Sequence, residues 1–262
     1  MRTYVEFAIK KFQNKMAYRL EFFMGIVNTI ITIVVYLCIY KALYEGKAEV
    51  DGISYAMTAT SFVISLGLSN AFHFNEMFIQ DKIHDGSITN EFLKPVNFVF
   101  RLLWENIGEG LFRVVFNFLP AVVFACFYTK LCAPYSMGNF IIMLISVALG
   151  YLVLWLLSLI IQVLSFWLFS VWGIMTIKNV IVNILSGVFL PLWFMPDIIK
   201  KIIVFTPFES IYFTPIRIYL GEVTGMEMLS KLSLQLMWIG ILGGMAGVLW
   251  SKGVKKLVVQ GG

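Results

Sequence analysis

Arg101, Glu105, Glu109 and Arg113 fall at successive four-residue steps. A helix would set them in one ridge of alternating charge, able to pair internally or to hold a polar partner. His73 and Glu76 lie one helical turn apart, a weak metal-ligand spacing, and His84 is the only other histidine. No Cys–His run with zinc spacing accompanies them. The chain contains no G-x-x-x-x-G-K-[ST], G-x-S-x-G or H-E-x-x-H. It therefore lacks the loop that cradles a nucleotide and the familiar hydrolytic centres. No metal site, no cofactor bound by this chain and no enzymatic activity of its own are expected.

The elements that must position these groups are membrane helices. Of the 262 residues 60% are hydrophobic and only 13% are charged, about half the charged share of a soluble domain. A globule in water could not be given a polar skin from this composition. The net charge of +5 is not gathered on one face, so nucleic acid is not an expected partner. The three cysteines, Cys38, Cys126 and Cys132, read as small buried hydrophobes.

A span needs ~20 apolar residues. Six candidates meet that need, at roughly 22–40, 53–72, 108–128, 139–161, 177–195 and 232–250. No charged residue lies between Lys130 and Lys178. That stretch could hold two spans joined by a tight turn, or one span and a membrane-embedded turn near Phe166–Ile174. Arg2, Lys10, Lys11, Lys15 and Arg19 precede the first span, and Lys252, Lys255 and Lys256 follow the last. Basic flanks favour the cytoplasm, so both termini are expected there and the span count is even. The first apolar run is too long for a signal-peptide core, and no cleavable leader is expected.

The expected fold is an all-α integral membrane protein of six transmembrane helices, one domain over 1–262. Residues 1–21 would form an interfacial helix, because Val5, Ile9, Phe12, Met16 and Leu20 make an apolar stripe beside a basic row of Lys11, Lys15 and Arg19. Residues 73–97 form the longest polar insert, with a turn at Asp85-Gly86-Ser87 and Ser87 as N-cap of a short helix that Pro95 ends. A helix from 98 to 128 would be ~46 Å long at 1.5 Å per residue, so the charged ridge sits near its aqueous end. Four of the seven prolines, Pro191, Pro196, Pro207 and Pro215, break up residues 191–222. The short apolar pieces between them read as re-entrant outer helices that form an external gate. Asn28, Thr32, Thr58, Ser61, Ser65, Asn179, Asn183 and Ser186 are neutral polar groups inside the spans. They could bond helix to helix, or line a pathway for an amphiphile such as a lipid, drug or hydrophobic peptide.

Ile83-His84-Asp85-Gly86-Ser87-Ile88-Thr89-Asn90-Glu91-Phe92-Leu93-Lys94-Pro95-Val96 resembles the I-x-x-G-x-[IL]…L-[KR]-P-[VL] segment of prokaryotic ABC-2-type permeases. It is most similar to the branch often encoded beside a second, related permease and an ATPase. Ser186 to Pro196, then Thr206-Pro207-Phe208, Pro215 and Gly221, resemble the same family in their order of Gly and Pro. The resemblance implies a permease subunit of an ABC exporter in the cytoplasmic membrane. Its partners would be two ATPase domains carrying ATP and Mg, a second permease subunit (a paralogue rather than an identical copy) and lipid. It also implies that Gln80, Asp81, Lys82, Ile83, His84, Asp85, Gly86 and Ser87 contact the ATPase. An ATP-independent carrier or channel is the alternative.

Overall fold

The computed structural model describes residues 2–17 and 19–260. The side chains of Arg19 and Leu20, assigned above to the basic row and the apolar stripe, lie outside the described residues. Helix α1 (Arg2–Met16) leads into α2 (Arg19–Tyr44), and a hairpin of two short strands, β1 (Glu49–Val50) and β2 (Ile53–Ser54), precedes α3 (Tyr55–Ala71). The insert carries α4 (Phe78–His84) and α5 (Ile88–Phe92). Then follow α6 (Phe98–Arg113), a π-helical stretch (Val114–Phe118), α7 (Leu119–Tyr128), α8 (Met137–Leu164) and α9 (Trp172–Leu185). The chain ends in α10 (Asp197–Ile203), α11 (Phe213–Leu220) and the long α12 (Gly225–Gln260).

The hairpin departs from an all-α fold. Asp51 and Gly52 take φ of +52° and +76°, the left-handed pair that a two-residue turn between strands requires. The cysteines depart from expectation too: Cys38 and Cys126 are exposed on their helices.

Four helices among the described residues are long and apolar enough to cross a membrane: Phe23–Tyr44, Phe98–Tyr128, Met137–Leu164 and Gly225–Lys256. The second runs on from the charged ridge through the π stretch. Pro120 has no N–H to give Phe116, and a π stretch just before it absorbs the missing bond. Where the other two spans are expected, the chain forms helices shorter than a span needs. Helix α3 has 17 residues and α9 has 14, about 26 Å and 21 Å at 1.5 Å per residue. Most of α3 is buried among its neighbours, whereas Val182 is the one buried residue of α9. Gly187, with φ of +78°, closes α9 well before residue 195. Residues 165–171 form the turn between α8 and α9.

Two ends can be distinguished. At one, α1, the insert, the 165–171 turn and the last turns of α12 meet. Phe98 stacks on Trp250 at 5.2 Å, and Phe92 and Phe166 meet the same indole edge-on. At the other end the hairpin, the 129–136 loop and residues 186–224 meet. Thr60 Oγ1 accepts from Cys132 N at 2.8 Å, and Tyr219 Oη donates to Cys132 O at 3.0 Å. Between α10 and α11 the chain leaves this second end and reaches Gly150, halfway along α8. A Cβ there would lie 2.5 Å from the Ile211 carbonyl oxygen.

Candidate functional site

The insert is built as a lever with a fixed root and a bare tip. At its root, Gln80 is buried and its Oε1 accepts from the Val171 N–H at 2.7 Å. Gln80 thus ties α4 to the 165–171 turn and offers nothing outward. At the tip, Asp81, His84, Asp85 and Gly86 are exposed, with Lys82, Ile83 and Ser87 half-buried. Gly86 has φ of +72° and nothing within 4 Å of a Cβ added there. Ser87 does not cap α5 as expected. Its Oγ donates to Asp85 Oδ1 at 2.6 Å, and its N–H bonds the same oxygen at 2.8 Å. Those two bonds hold the Asp85 carboxyl below its ordinary pKa. Beside the tip, His84 stacks on Phe169 at 4.7 Å, and Phe169 itself is 86% exposed.

The charged ridge pairs as its spacing requires, and it recruits partners from two other elements. Arg101 bonds Glu105 at 3.2 Å, and Arg113 bonds Glu109 at 2.9 Å. Arg101 also bonds Glu91 of α5, which holds Lys94 at 2.8 Å. Glu109 takes Lys15 at 3.1 Å and Lys11 at 3.6 Å from α1. Gly108 lets the two helices touch, since a Cβ there would stand 2.1 Å from the Ala8 carbonyl oxygen. The expected apolar stripe of α1 is divided: Phe12 packs edge-on against Phe112 at 5.8 Å, while Val5, Ile9 and Met16 are exposed.

An inner cavity of about 420 Å³ opens between the end of α3, the start of the insert, α8 and α9. Its wall combines Phe72, Phe74 and Leu154 with His73, Glu76 and Lys178. Glu76, 3% exposed, bonds Lys178 and accepts from Ser158 Oγ at 2.6 Å. The surrounding protein, and then Arg113, hold the His73 pKa below its usual value, so the imidazole is neutral at pH 7.

An outer cavity of about 800 Å³ lies beneath the proline-rich segment. Pro191 and Pro196 each stand just before a short helix, and Pro215 lies in the first turn of α11, where a missing N–H costs nothing. Pro207 lies in the turn between α10 and α11. Here Glu209 bonds Lys231 at 2.7 Å and Arg217 at 3.6 Å. Glu222 bonds Arg217 at 3.2 Å and accepts from Trp193 Nε1 at 3.0 Å. Helix α11 is largely buried, and α10 exposes Ile198 and Ile202.

The eight neutral polar residues do not share one lining. Asn179 and Asn183 border the inner cavity. Thr58, Ser61 and Ser65 are buried in α3, Thr58 within 2.7 Å of Tyr44 Oη. Ser186 is buried and donates to the Val182 carbonyl. Asn28 is exposed and Thr32 half-buried on α2, where Thr32 Oγ1 donates to the Asn28 carbonyl at 2.8 Å. Two pairs are not expected from the sequence, Glu76 with Lys178 and Glu209 with Lys231. The signal for the first was a lone lysine at the head of an apolar run and a lone glutamate at the foot of another.

Residues 26–261 match the family described as ABC-2 family transporter protein. No curated protein matches the chain.

Proposed function

The chain belongs to the ABC-2 transporter family, and on that premise we propose that this membrane transporter subunit is the permease half of an ATP-driven exporter of an amphiphilic substrate. Both termini and the insert would face the cytoplasm, with α3 and α9 completing six passes. A second permease, a paralogue of this one, and two ATPase domains would complete the assembly. ATP and Mg would bind on those domains.

One observation carries this reading: the 78–92 insert has a bare tip on an anchored root. A force applied at Asp81–Gly86 would not be lost in a loose loop. It would pass through Gln80 to the 165–171 turn, through Glu91 to Arg101 of α6, and through Phe92 to Trp250 of α12. Packed elements with few soft joints transmit displacement. Phe169, standing beside His84, would extend the ATPase contact beyond the insert. The outer proline-rich segment would act as the external gate.

The test is at Gly86, where the left-handed backbone costs a non-glycine residue about 1–2 kcal/mol while space for a side chain is free. In the complex purified with its ATPase, Gly86→Val should keep assembly but lose substrate-stimulated hydrolysis. Gly86→Asn, tolerant of that backbone, should keep both. Normal coupling in the valine variant, or no ATPase co-purifying with the chain, would remove the reading.

A further inference from the structure

Among the described residues, three buried carboxylate oxygens have no hydrogen-bond partner: Glu76 Oε2, Glu209 Oε2 and Glu222 Oε1. All three residues line one of the two cavities, Glu76 the inner and the other two the outer. The arrangement repeats. Each carboxylate gives one oxygen to an internal cation, Lys178, Lys231 or Arg217. The second oxygen of each is left with nothing. A buried acceptor without a donor is costly, more so when it carries charge. What is missing at both places is the same thing, an N–H or O–H donor.

Charge narrows the donor. The outer lining sets Asp51, Asp197, Glu209 and Glu222 against Lys200, Arg217 and Lys231, so acids outnumber bases. In the inner lining Glu76 and Lys178 balance, and neutral His73 adds no positive charge. Spare donors stand beside these acids, on the Asn179 and Asn183 amides and on the Lys200 ammonium, so the bias toward a cation comes from the orphaned acceptors and, in the outer cavity, from the excess of acids. The remaining walls, with Phe72 and Leu154 inside and Ile203 and Phe213 outside, suit an apolar body. The two cavities are also neighbours along the chain, for Tyr212 lines the inner one and Phe213 the outer one.

We propose that both cavities receive the N–H-bearing cationic head, a primary amine or guanidine, of the exported amphiphile, with Glu76 as the inner acceptor and Glu209 and Glu222 as the outer acceptors. This rests on the exporter reading above and names its substrate class. A quaternary ammonium carries the same charge but no N–H, and it leaves the orphaned oxygens as they are.

The experiment measures binding to the full chain in lipid nanodiscs by fluorescence. The probes are a dansyl group bearing a pentyl primary amine, its N-trimethylated analogue and the corresponding carboxylate. The amine should bind at least about tenfold more tightly than the trimethylated probe, and the carboxylate least. That preference should vanish in the Glu76→Gln, Glu209→Gln, Glu222→Gln triple variant, which keeps side-chain size and removes the charges. Equal binding of amine and trimethylated probe by the wild-type chain, or a preference that survives in the triple variant, would overturn the proposal. Should the variant fail to fold, the wild-type comparison alone decides. Binding is read without ATP, so this result is separate from whether the chain couples to an ATPase.

Discussion

At Glu91, burial and charge pull in opposite directions. Removal from water raises its carboxyl pKa, and Lys94 and Arg101 together more than reverse that, leaving it below the ordinary value of 4.5. A carboxylate with a lowered folded pKa binds fewer protons than its unfolded counterpart, so its stabilisation is present above pH 4.5. It is lost as pH falls through the lowered value. Arg101→Ala should therefore act twice. It leaves Glu91 with Lys94 alone, which should cost about 1.5–3 kcal/mol at neutral pH. It should also move the acid unfolding midpoint up toward the ordinary carboxylate range. Denaturation in detergent micelles across pH 3 to 7 checks both, and an unchanged acid midpoint would show that the pair does not set it. The spacing of Arg101, Glu105, Glu109 and Arg113 made their ridge legible, because a helix alone dictates it. Glu91, Lys15 and Lys11 were not legible as its partners, since only tertiary packing brings other elements to its side.

Among the elements, the chain between α10 and α11 is tied to α12 twice, by Glu209 to Lys231 and by the amide of Gln235. Gln235 of α12 donates from Nε2 to the Ser210 carbonyl at 2.7 Å and to the Ser146 carbonyl at 3.0 Å, and accepts from Ser146 Oγ at 3.0 Å. It is fully buried. Gln235→Leu preserves bulk but strips the Ser210 carbonyl of its donor, at about 1–3 kcal/mol, while the Ser146 carbonyl keeps its bond within α8. The expected outcome is a folded protein whose residues 209–212, buried in the parent, become accessible. An engineered cysteine at Ser210 should react with thiol reagents in the variant and stay protected in the parent, and equal protection would show that Gln235 is not the clasp. The same region shows where reading by pattern runs out. The prolines announced broken helices, and two short helices are there. That the link between them descends to Gly150 was hidden, because a missing Cβ on α8 carries no periodic signal. The Asp51-Gly52 turn was a readable hairpin signal, overshadowed by the apolar run that follows it.

For the molecule as a whole, the orientation proposed from the basic flanks can be checked directly. In a background with Cys38, Cys126 and Cys132 replaced by Ser, Lys47→Cys in the exposed link between α2 and β1 should react with an impermeant maleimide on intact cells. Asp85→Cys at the insert tip should react only after permeabilisation, and the opposite pattern would invert the topology. The long helices were legible from composition alone, and their extents differ from expectation mainly where charged turns continue a helix past the apolar core. The shortness of α9 has a consequence for the surrounding lipid. About 21 Å of helix stands beside α8, whose 28 residues run about 42 Å, and a typical hydrocarbon layer is ~30 Å. As the fifth pass proposed above, α9 would oblige adjoining acyl chains to shorten or disorder, at a fraction of a kcal/mol for each ångström of mismatch. In that arrangement the protein would carry a thin seam on one flank, and a bilayer of shorter chains would wet that flank at lower elastic cost.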